Sequence, residues 1–261
     1  MNIIIKTAEQ IAGIQKASEL AIQTIQQLDS VVKAGVTTTE LDQICHDFII
    51  THGAIPAPLN YHGFPKSICT SINQVVCHGI PSSKQKLRSG DIINIDITVI
   101  KGGFYSDTSV MYMIDPPRVS RACKKLVAAT QEALYLGIKE VAPGKHFGDI
   151  GYVIQDYAKQ NHLSVVKEYC GHGVGLSFHE DPMVTHIGKM HHGPVMQPGM
   201  IFTIEPMLNL GTANITVLKD GWTAVTADGQ PSAQWEHTVL VTETGYQILT
   251  WREEETIAPR G

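Results

Sequence analysis

The chain has 261 residues, 43% of them hydrophobic and 17% charged, the balance of a folded protein with a full core rather than a disordered or fibrous one. Its formal net charge of -5 argues against nucleic acid, DNA included, as the main partner. No apolar run approaches a membrane span, and the start MNIIIKTAEQ has only three consecutive apolar residues before a lysine, too few for the core of an export signal.

Residues 7–33 place Ile11, Ile14, Ala21, Ile22, Ile25, Leu28 and Val32 at three- and four-residue spacing, which predicts one long amphipathic helix stopped near Gly35. Thr39 is expected to cap a second helix through about Thr51, with Leu41, Ile44, Cys45, Phe48 and Ile49 inside and Gly53 ending it. The prolines that follow (Pro56, Pro58, Pro65) predict an irregular loop over 54–66. A strand pair or strand-turn over 68–77 comes next, then a basic turn. The stretch from Ser89 to Asp107, SGDIINIDITVIKGGFYSD, reads as a β-hairpin. A loop of Lys101-Gly102 would set Asp96 directly opposite Asp107; a loop of Gly102-Gly103 would leave the two on one face, a diagonal step apart. Either way, two carboxylates in an apolar strand pair need a cation or a shared proton, and a divalent metal suits carboxylate oxygen.

Asp115-Pro116-Pro117 marks a midpoint, after which the order repeats: a long helix (119–139), a glycine break, a shorter helix (148–160), strands, then a strand ending in an acid. The register is constant at 109 residues, pairing Gly35 with Gly144, Glu40 with Asp149, Gly90 with Gly199 and Asp96 with Glu205. Such an offset is the mark of duplicated supersecondary units. It predicts halves of about 7–115 and 118–250 within one domain, with Asp96 and Glu205 meeting across a pseudo-twofold axis. The second half adds His172 in a glycine-rich turn, Glu205 before a proline, and Glu236 at the start of an alternating strand. Two Asp, two Glu and one His form an oxygen-rich set suited to two adjacent divalent cations. His186, His191 and His192 lie in a polar stretch and are expected to be solvated. A Cys77-His78 nucleophilic pair is a weaker reading, since no orienting Asn or Asp is evident.

DIINIDITVIKGGFYSDTSVMY, GHGVGLSFHEDP, PGMIFTIEPM and SAQWEHTVLVT resemble the four blocks of the methionine aminopeptidases, and HGFPKSICTSINQVVCHGIP resembles the block peculiar to their type I members. The resemblance runs from about residue 5 to 250. It implies the α+β pita-bread fold, two related halves around a curved antiparallel sheet. It implies that Asp96, Asp107, His172, Glu205 and Glu236 hold two divalent ions (Co²⁺, Mn²⁺, Fe²⁺ or Zn²⁺), with Asp107 and Glu236 bridging. His78 and His179 would assist at the scissile amide, Glu205 would shuttle a proton, and Tyr61, Phe64, Cys69, Phe178 and Trp222 would shape the methionine pocket. Asn73, Val75 and Ser232 fall where some relatives bind a monovalent cation. Pro58 stands where bacterial members often have cysteine, and Phe64 where tyrosine is common.

The expected activity is removal of initiator methionine from nascent chains with a small second residue, by a monomer, at or near the ribosome and away from membranes. Five cysteines without CxxC spacing, Cys45, Cys69, Cys77, Cys123 and Cys170, fit reduced thiols in the cytoplasm. Prolidases and aminopeptidase P share the fold and ligands but carry a large extra N-terminal domain, and the 31 residues from Glu205 to Glu236 leave no room for the type II insertion. A non-catalytic binding protein on the same fold is the rival from another class; such relatives generally lose ligands.

Overall fold

The computed structural model describes residues 2–253 and 255. Helix α1 (Ala8–Gln26) starts at a capping box: Thr7 Oγ1 accepts from Gln10 N–H at 3.3 Å, and Gln10 Oε1 accepts from Thr7 N–H at 2.9 Å. Ile14, Ala17, Leu20, Ala21 and Ile25 form its buried face. The helix ends at Gln26, well short of residue 33. The periodicity overshoots because Leu28 is still fully buried and Val32 still packs on the core from the turns that follow, where Asp29 and Ser30 disfavour helix. Helix α2 (Thr38–Thr51) begins earlier than a Thr39 cap would allow. Thr37 and Glu40 form the box, with Glu40 N–H on Thr37 Oγ1 at 3.2 Å and Thr37 N–H on Glu40 Oε2 at 2.7 Å.

Five strands complete the first half: β1 (Ile55–Pro56), β2 (Cys69–Ile72), β3 (Val75–Cys77), β4 (Ile92–Lys101) and β5 (Phe104–Met113). The segment expected to be wholly irregular thus supplies β1, which pairs with the end of β4. β4 is central, pairing β1 and β2 along one edge and β5 along the other. Lys101 pairs Phe104, so the loop is Gly102-Gly103, with φ of 59° and 85°. A two-residue turn with positive φ at both positions suits two glycines and not a lysine. Asp96 therefore opposes Ser109, and Asp107 opposes Thr98. The two acids share a face diagonally and are not directly opposite.

The two-residue period of β4 separates its tasks. Ile93, Ile95, Ile97 and Val99 are all fully buried in the main core, which includes residues of α1 and α2. Asn94, Asp96 and Thr98 face the other way, toward the second half.

That half has α3 (Arg121–Lys139) and α4 (Phe147–Gln160), then β6 (Ser164–Val165), β7 (Gly171–Gly173), β8 (Glu180–Val184), β9 (Ile201–Ile204) and β10 (Met207–Asn209). After these come β11 (Ile215–Val217), β12 (Ala224–Thr226), β13 (Ser232–Gln234), β14 (His237–Val241) and β15 (Tyr246–Ile248). A five-stranded antiparallel sheet runs β15-β14-β9-β7-β8, and two short sheets join β13-β10-β6 and β11-β12-β3. In β9, Phe202 and Ile204 enter the main core, leaving Thr203 and Glu205 on the opposite face.

The 109-residue offset recurs in the backbone. Gly35 and Gly144 have φ of 95° and 86°, and Gly90 and Gly199 have 99° and 86°. The bridge Thr37–Lys86 corresponds to the bridge His146–Val195. The bond from Gly35 N–H to Leu87 O (2.8 Å) corresponds to that from Gly144 N–H to Met196 O (3.0 Å).

Candidate metal centre

The face of β4 and β5 that turns away from the core meets the matching face of β9 and the start of β14. Glu236 N–H donates to Ser109 O at 3.2 Å, and Thr108 Oγ1 donates to Glu236 O at 2.9 Å, so the segment before β14 is stitched onto β5. Thr238 Oγ1 donates to Asp107 O at 2.7 Å, and Asn94 Nδ2 donates to Gln234 O at 2.8 Å. These cross-half bonds bring Asp96, Asp107, His172, Glu205 and Glu236 onto the wall of one cavity of about 530 Å³. Ligand atoms of Asp107, His172 and Glu236 all lie within 4.8 Å of one another.

Burial pushes all four carboxyls up. Asp107 rises to about 6 and Glu205 to about 8, chiefly through lost hydration. Asp96 and Glu236 rise well above the usual range, for the same reason and because Asp107 and Glu205 lie close to each. Four buried acids of one sign are costly without positive charge between them. His172 sharpens the point. Its Nδ1 lies 3.0 Å from Gly173 O, an acceptor only, so the proton sits on Nδ1. Nε2 then aims a lone pair at Asp107 Oδ2 (3.7 Å) and Glu205 Oε1 (3.6 Å), both too far for hydrogen bonds. Burial holds this imidazole neutral, lowering it to about 3. At these distances no proton is shared, and the three atoms converge on a gap that a divalent cation would fill, so the donor set fits divalent metal.

His172 lies on β7, a short strand paired to β8 and β9, rather than in the turn its glycines suggest. Those glycines allow close strand packing: a Cβ on Gly171 would lie 2.3 Å from Thr203 O, and one on Gly173 would lie 2.2 Å from Asp181 O. Thr203 Oγ1 accepts from His172 N–H (3.0 Å) and donates to Glu205 Oε1 (2.7 Å), tying the His172 backbone and the Glu205 side chain to one hydroxyl. Gln234 Nε2 reaches Glu205 Oε2 at 3.3 Å, and Thr98 Oγ1 donates to Asp107 Oδ1 at 2.7 Å. Sequence reading missed these supports. Parity could have found them, because Thr203 and Thr238 stand two residues from Glu205 and Glu236 on the same strand faces.

His186 corrects an expectation. It is buried at 2% exposure, and its Nε2 accepts from Glu205 N–H at 3.2 Å. The polar residues around it hide the cause: residues 185–188 lie directly on α4, where a Cβ on Gly151 would meet Thr185 O at 2.5 Å and Ile187 O at 2.6 Å. His191 and His192 are exposed.

The same cavity is lined by His78, His179, Tyr61, Phe64, Cys69, Phe178 and Trp222, and by Pro58. Phe64 meets Trp222 edge-on at 5.2 Å, and Phe178 stacks on His179 at 4.4 Å. Tyr61 Oη lies 2.9 Å from His179 Nδ1. Burial lowers His78 to about 4. It also raises the Cys77 thiol well above its ordinary value, with Glu205 and Asp96 adding to the effect, which disfavours the thiolate a Cys77-His78 pair would need. All five cysteines are free. Asn73 and Ser232 are neighbours outside this cavity, Ser232 N–H donating to Asn73 O at 2.8 Å, with Val75 on β3.

Residues 12–243 match the model of metallopeptidase family M24. The methionine aminopeptidase of Salmonella typhimurium is 52% identical over 258 residues, 98% of this chain and 97% of that protein. This chain belongs to the methionine aminopeptidases of metallopeptidase family M24. The methionine aminopeptidase of Escherichia coli K12 is 48% identical over the same share of both chains. The structure of the Rickettsia prowazekii methionine aminopeptidase superposes with a TM-score of 0.93 at 48% identity, covering 96% of this chain and all of that one. The prolidase of Pyrococcus horikoshii, at 21% identity and a TM-score of 0.75, shares the pita-bread fold, and this chain spans 65% of it. Among the described residues no helix is long and apolar enough to cross a membrane.

Proposed function

We propose that this chain releases N-terminal methionine from nascent proteins and peptides with a small second residue. The family membership supports the reaction class, and the near full-length identity to enzymes named for this activity supports the substrate. The observation that carries the metal is the lone pair of His172 Nε2 turned onto the Asp107 and Glu205 carboxylates. Asp96, Asp107, His172, Glu205 and Glu236 would hold two divalent ions, Co²⁺, Mn²⁺, Fe²⁺ or Zn²⁺ all being compatible with this donor set. When bound, such a pair polarises the scissile carbonyl and makes a water acidic near neutral pH.

The chain's own groups do the rest. Glu205, held at Oε1 by Thr203 and at Oε2 by Gln234, takes a proton from the attacking water and passes it to the leaving amine. His179, with Nδ1 occupied by Tyr61, keeps Nε2 for the carbonyl oxygen as charge develops there. His78, buried and neutral, contacts the scissile amide. Tyr61, Phe64, Cys69, Phe178 and Trp222 give the terminal side chain an apolar socket suited to an unbranched thioether. Pro58, which lines the same cavity, leaves that position without a thiol.

On this reading residues 1–261 form one catalytic unit of two related halves, working as a monomer in the cytoplasm and acting on chains emerging from the ribosome. The neighbouring Asn73, Val75 and Ser232 would hold a monovalent cation. The test is release of methionine from Met-Ala-Ser with added Co²⁺, Mn²⁺ or Fe²⁺. Cleavage of Xaa-Pro peptides instead, or no turnover by folded protein with any divalent ion, would overturn the reading.

A further inference from the structure

The opening residues, MNIIIK, end in a lysine that does not reach solvent. Ile5 is 46% exposed but Lys6 only 4%, and its ammonium forms an ion pair with Glu180 Oε2 in which both side chains are almost wholly buried. The arm is pinned on either side: Lys6 N–H donates to Gly199 O at 2.9 Å, and Asn2 N–H donates to Asp181 Oδ2 at 2.6 Å. Gly175, at φ +134°, leaves room for the lysine stem, since a Cβ there would lie 3.2 Å from Lys6 Cε.

Glu180 lines the same cavity, and its other oxygen holds the residues just before it. Oε1 accepts from Leu176 N–H at 2.6 Å and Ser177 N–H at 2.9 Å, so this carboxylate closes the loop 176–180 on itself. Phe178 and His179 lie inside that closure, stacked on each other. The start of the loop is fixed by Tyr105 N–H on Gly175 O at 2.9 Å. One carboxylate is thus held at both oxygens, by the Lys6 ammonium at Oε2 and by the two amides at Oε1, and removing the ammonium leaves Oε2 buried with no partner to hold the group in place. Buried ion pairs contribute little net stability against an apolar replacement, so stability alone does not account for the pair.

We infer that Lys6 is a positioning residue for His179: through Glu180 it fixes the loop that aims the imidazole into the cavity. The inference rests on the proposed role of His179. Small displacements of a group that must meet a developing charge are expensive in rate.

The test is a double-mutant cycle on the full chain with Mn²⁺ and Met-Ala-Ser, alongside amide hydrogen exchange on metal-free protein. Lys6→Met is expected to lower kcat by about tenfold or more with little change in KM. It is also expected to speed exchange at Leu176 and Ser177 by about tenfold, with amides of α3 unchanged. In a His179→Ala background the further loss from Lys6→Met falls to about twofold or less. Should Lys6→Met fold poorly, Lys6→Met/Glu180→Leu removes both charges together with the acceptor of the two amides, and the same losses are expected of it. Losses that multiply fully with His179→Ala, or unchanged exchange at Leu176 and Ser177, overturn the inference while leaving the proposed activity intact. A His179→Ala variant as active as wild type overturns both the inference and the role proposed for His179.

Discussion

Replacing Thr203 by valine removes one hydroxyl and almost no volume, and the structure ties two consequences to that atom. Thr203 is fully buried, and its hydroxyl accepts from His172 N–H at 3.0 Å and donates to Glu205 Oε1 at 2.7 Å. Without it the His172 N–H is left buried and unpaired, at a cost of about 1–3 kcal/mol, and one bond to the Glu205 carboxyl is lost, at about 1 kcal/mol or more. The unfolding free energy should therefore fall by about 2–4 kcal/mol. The Thr203 bond is also what opposes the rise of the Glu205 carboxyl, so the variant holds its proton more tightly. A divalent cation must displace that proton, and loss of a group orienting a ligand typically costs 10–100-fold in metal affinity. Urea unfolding of metal-free protein and calorimetric titration with Mn²⁺ read the two effects separately. Thr203→Ser, which keeps the hydroxyl, should recover most of the affinity. A valine variant within about 0.5 kcal/mol of wild type, a change ordinary for surface sites, and with unaltered Mn²⁺ affinity would refute the reasoning.

Metal-free protein should lose stability as pH rises from 7 to 8.5. Carboxyls raised in the folded chain (Glu205 to about 8, Asp96 and Glu236 well above their usual range) keep protons that the unfolded chain has already released. The slope is about -1.4 kcal/mol per pH unit for each carboxyl so held. His78, His172 and His186, all lowered by burial, add none there, being neutral in both states above their ordinary range. Urea melts in EDTA at the two pH values measure it, and saturating Mn²⁺ should abolish the decline. Tyr61→Phe removes the hydroxyl on His179 Nδ1 and should lower kcat about tenfold with a smaller change in KM for Met-Ala-Ser; an unchanged kcat would count against it. Gly171→Ala should destabilise the chain by about 1–3 kcal/mol and weaken Mn²⁺ binding, because its Cβ would lie 2.3 Å from Thr203 O. Glu205→Gln should keep the fold and lose most activity, and near-normal kcat would remove the proton-shuttle role.

What the sequence made legible follows from period and turn chemistry. The alternation of β4 shows which residues face the core, and the Gly102-Gly103 turn selects between two registers once positive φ is required at both positions. The 109-residue offset is visible because Gly35, Gly90 and their counterparts occupy backbone conformations that favour glycine. Apolar spacing cannot show where α1 stops, since Leu28 and Val32 remain inside after the helix has ended. Nor does polarity show burial: His186 and Lys6 sit in stretches that look solvated, yet each is enclosed by segments far away in sequence, His186 with Glu205 and Lys6 with Glu180. The acids and histidines that line the cavity were readable from motif resemblance. The hydroxyls and amides that aim them depend on tertiary neighbours.

Anomalous diffraction from crystals grown with Mn²⁺, recorded on both sides of the manganese edge, tests the central claim most directly. Two peaks about 3.5–4 Å apart, enclosed by Asp96, Asp107, His172, Glu205 and Glu236, are the predicted result. No peak among these five side chains, in protein that releases methionine from Met-Ala-Ser, would contradict it.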